Sequence, residues 1–166
     1  MSAVSTAWSF RPLRPKDLVR LHRWLNQPHV ALWWGGAIEA SAVETKYRLR
    51  IAQPAAVTPY LALCENRPLG YLQINRQDLP AGFGPETVGL DAFLGEVETL
   101  RQGLGSGMIR AFVRDVVFAD PSVALCVVDP DPANLRAVAG FARAGFRPVP
   151  EQRVMVLSRL PRGPAR

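Results

Sequence analysis

Leu100-Arg101-Gln102-Gly103-Leu104-Gly105-Ser106-Gly107 joins a strand-like run, Thr87–Leu94, to a stretch with helical spacing, about Gly105–Phe118. Gly103, Gly105 and Gly107 let the backbone take positive φ and approach a ligand closely, so that successive N–H groups converge on an anion. The helix that follows adds its unpaired N-terminal donors and the positive end of its dipole. Arg101 can supply a charge-assisted contact to a phosphate. The same glycines fit a second reading, in which the loop only turns tightly and packs a helix. The stretch is neither a P-loop, since no Gly-Lys-Ser/Thr follows, nor a dinucleotide fingerprint, since the order of elements is wrong.

Outward from this turn, Leu125–Val128 reads as a buried strand ending at Asp129-Pro130-Asp131-Pro132. Asn134 to about Ala144 reads as a helix, with Gly145 beyond it where helices commonly stop, and Val154–Leu157 as a final strand. Upstream, Thr58–Cys64 and Leu69–Ile74 form a hairpin around Glu65-Asn66-Arg67-Pro68, and Gln77–Glu86 is a Pro/Gly-rich loop. Ser9–Leu13 is a first strand. Asp17 caps a helix through about Leu25, which Pro28 ends, and Glu39 to Ala52 is a second helix. The strands flanking the long helix should run parallel, as a right-handed crossover requires.

Length and composition suit one domain. The chain has 166 residues, 48% hydrophobic and 20% charged, which is an ordinary globular balance. No apolar run is long enough to span a bilayer, and Met1–Ser9 does not read as a signal peptide, so the cytoplasm is the expected compartment, with no membrane partner. Cys64 and Cys126 lie in apolar runs and read as two thiols rather than a disulfide. The net charge of +6 raises nucleic acid as a partner, but the basic residues are scattered and none interleave with aromatics. No nucleic acid is expected. His29 has no second ligand at metal spacing, so no metal site is expected.

The glycine turn resembles the pyrophosphate-binding pattern Q/R-x-x-G-x-G/A of the GNAT superfamily of N-acetyltransferases. One register places Gly103 and Gly105 as its glycines after Leu100; another, Gln102-x-x-Gly105-x-Gly107, fits literally. Asn134-Leu135-Arg136-Ala137 with Phe141 through Phe146 is similar to the family's Asn-x-x-Ala…Tyr-x-x-x-Gly-Phe segment beside the pantetheine arm. Trp24-Leu25-Asn26, His29, Trp33-Trp34-Gly35-Gly36, Gly89-Leu90-Asp91 and Asp129-Pro130-Asp131-Pro132 narrow the resemblance to bacterial aminoglycoside 6′-N-acetyltransferases, over roughly Phe10 to Leu157.

The resemblance implies an α/β (α+β) fold of one domain over residues 1–160. Its mixed, mostly antiparallel sheet is splayed between two parallel central strands, with helices on both faces and a flexible tail at 161–166. It implies acetyl-coenzyme A as cofactor and direct transfer to a primary amine of a small molecule, in a monomer or homodimer. Phe93, Leu94, Arg101, Gln102, Gly103, Leu104, Gly105, Ser106, Gly107, Asn134, Ala137 and Phe141 would bind the cofactor. Asp91 and Asp129 would bind the acceptor and take its proton, a step the chemistry demands because an ammonium has no lone pair. Trp34 and Tyr47 would complete the acceptor site.

Two departures stand out. The family commonly has Tyr, a proton donor to the departing thiolate, where this chain has Phe141. The loop Gln77–Glu86 is shorter and less acidic than in the aminoglycoside enzymes. Two rival readings follow: a siderophore-type acyltransferase of hydroxylated lysine side chains, and a binding module that keeps acetyl-coenzyme A without catalysis.

Overall fold

The chain was analysed as a computed structural model, which describes residues 6–159. The tail expected at 161–166 lies outside them. Seven strands form one sheet in the order β1-β2-β3-β4-β5-β7-β6. They are β1 (Trp8–Pro12), β2 (Val57–Cys64), β3 (Arg67–Asn75), β4 (Thr87–Leu94), β5 (Leu125–Val128), β6 (Arg147–Val149) and β7 (Val154–Ser158). Every neighbouring pair is antiparallel except β4 and β5, which are parallel, as the crossover through the long helix requires.

Parallel pairing joins Thr87 to Leu125, Val88 to Cys126 and Gly89 to Val127, and stops there. Beyond Gly89, β4 continues to pair with β3 as far as Leu94 opposite Gly70. Among the described residues, one edge of β4 from Leu90 to Leu94 is therefore without a strand partner. The sheet opens into a V at this point, and the expected splay is observed.

Among the described residues, five α-helices cover the sheet: α1 (Leu18–Leu25), α2 (Pro28–Ala31), α3 (Ala40–Ala52), α4 (Leu104–Phe112) and α5 (Leu135–Arg143). Alternation along β3 and β4 divides the core in two. Tyr71 and Phe93 face a cluster with Leu21, Trp24, Val43 and Tyr47 from α1 and α3. Leu72, Ile74, Val88 and Leu90 face a second cluster with Met108, Ile109, Phe112 and Phe141 from α4 and α5. Helices thus lie on both faces; the first cluster packs on β2–β4, while the second joins β2–β4 to β5 and β7.

Four local readings are corrected. Asp17 stands at the N-cap position of α1 but does not cap it. Its carboxylate instead receives both guanidinium nitrogens of Arg11, at 2.7 and 2.8 Å, and the Arg14 N–H at 2.9 Å. Pro28 does not end α1; it opens α2 as the first residue of that helix, where its missing N–H has no role to lose. The long helix keeps α geometry only to Phe112, and Val113–Val117 widens into a π turn, which hydrophobic periodicity does not reveal. β6 escapes sequence reading because it is three residues long, carries Pro148 and lies at the sheet edge.

One glycine is required by contact. A Cβ on Gly95, just past β4, would sit 2.1 Å from a ring carbon of Trp24. That close approach lets the indole N–H reach Glu96 at 2.9 Å, which ties α1 to the end of β4.

The Arg11–Asp17 fork joins β1 to the entry of α1. Burial raises the Asp17 pKa, but the Arg11 and Arg14 hydrogen bonds outweigh it and hold the carboxyl below its ordinary value. A depressed carboxyl stabilises the fold above its unfolded value of about 3.9 and loses that contribution as pH falls through the folded value. Asp17→Ala is expected to lower urea stability at neutral pH by about 1–3 kcal/mol. The gap from wild type should close as the medium is acidified, which denaturation at a series of pH values would measure.

Candidate active site

The V between β4 and β5 opens into two cavities that share a wall. The first, of about 340 Å³, is lined by Asp91, Asp129 and Asp131 on one side and by Lys46 and Arg50 from α3 on another. The second, of about 400 Å³, runs past Phe93 and Leu94 to Leu100, Gly105 and Met108 at the start of α4. Trp33, Trp34, Ala92, Asn134, Ala137 and Phe141 border both. The two cavities thus meet at the gap in the sheet.

In the first cavity, Asp91 lies on β4 directly opposite Gln73 on β3. The Gln73 amide N–H donates to Asp91 Oδ2 at 2.8 Å. Gln73 Oε1 in turn accepts from the Tyr71 hydroxyl and from Arg50 Nη1, each at 2.8 Å. Two donors on that oxygen fix which end of the amide faces Asp91, so the carboxylate is held through one oxygen. Burial pushes the Asp91 carboxyl above its ordinary value, opposed by the Gln73 hydrogen bond and helped by the charge of Asp129. A buried carboxyl with a raised pKa in a cleft is a stronger base than an exposed one.

The aromatic wall is built by edge-to-face packing. Trp34 meets Phe93 with ring centroids 4.8 Å apart and Tyr71 at 5.8 Å. Tyr47 does not line either cavity. Its ring is buried against Tyr71, because it lies on the face of α3 turned to the sheet. Its influence on the first cavity is indirect, since the Arg50 guanidinium sits 5.1 Å from its ring centre.

In the second cavity the expected residues divide. Phe93, Leu94, Gly105, Asn134, Ala137 and Phe141 line it. Gly103 takes φ +71° as the residue before α4, a left-handed conformation that glycine adopts without penalty. Arg101, Gln102 and Gly103 are exposed, and the Gln102 side chain donates to the Glu98 carbonyl at 2.6 Å. Ser106 Oγ donates back to the Gly103 carbonyl at 3.1 Å. Leu104, Ser106 and Gly107 are absent from the lining, and a Cβ on Gly107 would meet Trp8 at 3.5 Å, so Gly107 also serves packing against β1. Asn134 caps α5 by accepting the Ala137 N–H at 3.1 Å. Phe141 packs edge-on to Phe146 and carries no polar atom.

Sequence reading passed over four contributors. Gln73 is a lone polar side chain inside the apolar run Leu69–Ile74, a visible signal of a buried partner. Lys46 and Arg50 are four residues apart on one helical face, a spacing that carries no functional signal on its own. His29 was set aside as a metal ligand, but its Nε2–H donates to the Leu94 carbonyl at 2.8 Å, beside the free edge of β4. Cys126 is fully buried on β5, and burial pushes its thiol far above the ordinary range, so it is no nucleophile. Among the described residues, no group of acidic, His and Cys side chains suits a metal, and no helix is long and apolar enough to cross a membrane.

The family profile described as Acetyltransferase (GNAT) domain matches residues 14–154. The chain belongs to the GNAT family of acetyltransferases. It is 36% identical over 149 residues to the aminoglycoside N(6′)-acetyltransferase type 1 of Klebsiella pneumoniae, covering 83% of this chain and 73% of that protein. The crystal structure of aminoglycoside acetyltransferase AAC(6′)-Ib with coenzyme A and kanamycin superposes with a TM-score of 0.82 at 31% identity, over 92% of this chain and 95% of that one. The same enzyme with ribostamycin and coenzyme A gives a TM-score of 0.83 at 30% identity, over 96% and 99% of the two chains. These likenesses agree with the sheet, its opening and the helices around it.

The start of α4 can be probed without disturbing the core. A Cβ on Gly105 would meet only Leu94 Cδ1, at an ordinary 3.7 Å. Gly105→Asp should therefore fold, yet place negative charge where a pyrophosphate would meet the helix N-terminus. Calorimetry with coenzyme A is expected to show affinity lower by more than about tenfold, the equivalent of about 1.4 kcal/mol.

Proposed function

We propose that this chain transfers an acetyl group from acetyl-coenzyme A to the 6′-amine of an aminoglycoside-type amino sugar, with donor and acceptor bound together. The observation that carries the reading is the V between β4 and β5, which opens into two cavities that meet at Ala92 and Phe141, next to Asp91 in the first of them. Its likeness to aminoglycoside N(6′)-acetyltransferases, including an enzyme crystallised with kanamycin and with ribostamycin, supports the acceptor class.

The residues of the second cavity fit the cofactor. The free edge of β4 near Phe93 and Leu94 offers backbone groups to an amide-bearing arm, except the Leu94 carbonyl, which His29 already engages, and Gly105 leaves room at the first turn of α4 for a phosphate against unpaired N–H groups. Arg101 stands exposed in the turn that precedes that helix. When bound, acetyl-coenzyme A supplies the activated thioester.

In the acceptor cavity, Asp91 takes the proton from the ammonium. Gln73 holds its Oδ2, and among the described residues no hydrogen bond engages Oδ1, which is left for the amine. Asp129 places a second negative charge on the same wall and favours the cationic form on arrival. Trp33 and Trp34 present flat apolar faces to a sugar ring and exclude water from the junction. Phe141 has no proton to give. The leaving thiol, with an ordinary pKa of about 8.5, departs without acid help from this position.

Asp91→Asn is expected to lower kcat by about 10²–10⁴-fold while leaving coenzyme A affinity intact. In wild type, activity requires the ionised carboxylate, so the raised pKa of Asp91 places the acidic limb of kcat/KM above the ordinary carboxylate value of about 3.9. That limb should vanish in the variant. Full turnover of Asp91→Asn on kanamycin would remove Asp91 as the base. Phe141→Tyr should change the rate of thiol release little; a large gain over a nearly inactive wild type would favour the non-catalytic reading.

A further inference from the structure

The wall of the acceptor cavity formed by α3 is cationic, which an acceptor carrying only ammonium groups does not explain. Lys46 and Arg50 lie one turn apart on α3 and both line the cavity. Each also sits by the buried ring of Tyr47, with Lys46 Nζ 5.6 Å and the Arg50 guanidinium carbon 5.1 Å from its centre. Arg50 is further fixed by its 2.8 Å bond to Gln73, which uses one of its five N–H donors. Among the described residues, no carboxylate lies within salt-bridge distance of either cation.

Holding two like charges on one aromatic platform is unfavourable without a counter-ion. Burial and then repulsion from Arg50 pull the Lys46 ammonium below its ordinary pKa. A bound anion would offset both by attraction to the two cations. On the facing wall stand Asp91, Asp129 and Asp131. The cavity is therefore dipolar, negative along β4 and β5 and positive along α3. The Gln73 amide bridges the two poles, bonded to Arg50 at one end and Asp91 at the other. A ligand that matches has an amine at one end and an anion a few bonds away.

We propose that Lys46 and Arg50 form an anion-accepting subsite, and that the chain also acetylates small amines bearing a carboxylate or phosphonate group. This rests on the reading of the cavity as the acceptor site. The amine would lose its proton to Asp91 and attack the thioester carbonyl. The N–C bond forms as the C–S bond breaks, and the second proton shed by the nitrogen passes through solvent to the departing thiolate, which leaves as the thiol. The anion stays on α3 throughout, so it sets affinity rather than chemistry.

Matched pairs test this. Thiol release with acetyl-coenzyme A is compared for 5-aminopentanoate against pentylamine, and for 3-aminopropylphosphonate against propylamine, with kanamycin as a reference acceptor. The kcat/KM ratio within each pair is expected to favour the anionic member by more than about tenfold, about 1.4 kcal/mol. Lys46→Gln should bring the ratios close to one, and Lys46→Glu should invert them. The carboxylate and phosphonate pairs show which anion the subsite prefers. Calorimetry of the same amines on the coenzyme A-loaded protein gives the ratio independently of turnover. If no amine is acetylated, the transferase reading fails while the binding ratio still decides the subsite. Ratios of one or below in wild type, or ratios that Lys46→Gln leaves unmoved, would overturn the proposal.

Discussion

The structure depends on the point at which β4 and β5 stop pairing. Three residue pairs hold the strands together, from Thr87–Leu125 to Gly89–Val127, and then β5 runs into Asp129-Pro130-Asp131-Pro132. Pro130 and Pro132 have no N–H to offer a neighbouring strand. β4 still has β3 along its other edge, so it continues straight while the chain after β5 turns away. The second core cluster, with α4 and α5, spans both arms from β2–β4 to β5 and β7, while the first, with α1 and α3, packs the opposite face of β2–β4. An open sheet edge is a liability on a protein surface, but inside a cleft it is a row of free donors and acceptors.

The site follows from this opening. Because side chains alternate along β4, Asp91 and Phe93 share one face and Ala92 and Leu94 the other. The carboxylate therefore sits with Gln73 and Arg50 on the α3 side, while α4 begins on the opposite side of the sheet. One strand separates the place where a proton leaves an amine from the place where a phosphate meets a helix. The Gln73 amide links the base to the cations of α3, so acceptor recognition and base position share hydrogen bonds. Loss of either end is felt at the other, as is usual in buried polar networks.

Much of the fold was legible because its signals are local. Thr87–Leu94 and Leu125–Val128 are apolar runs bounded by Gly and Pro, and both strands have the bounds that the sequence suggested. The glycine turn announced the start of α4, though only Gly105 of its glycines reaches the cavity. Contacts between distant segments were not legible. Nothing local distinguishes Asp17 as an ion-pair partner of Arg11 from Asp17 as a cap, or Pro28 as a helix opener from Pro28 as a stop. The Gln73 link between α3 and β4 depends on strand register, which a single chain does not spell out. Tyr47 was placed at the acceptor site by the resemblance alone, and a weakly amphipathic stretch gave no local sign that its ring lies in the core instead.

The central claim is that the V admits donor and acceptor at the same time and that acetyl passes directly between them. Cys126 is fully buried and cannot carry the group, while Cys64 on β2 lines neither cavity. Initial rates with both acetyl-coenzyme A and kanamycin varied test this most directly. Double-reciprocal lines that intersect are the result of a ternary complex, and are predicted here. Parallel lines, the mark of an acetylated enzyme formed before the amine binds, would contradict the account.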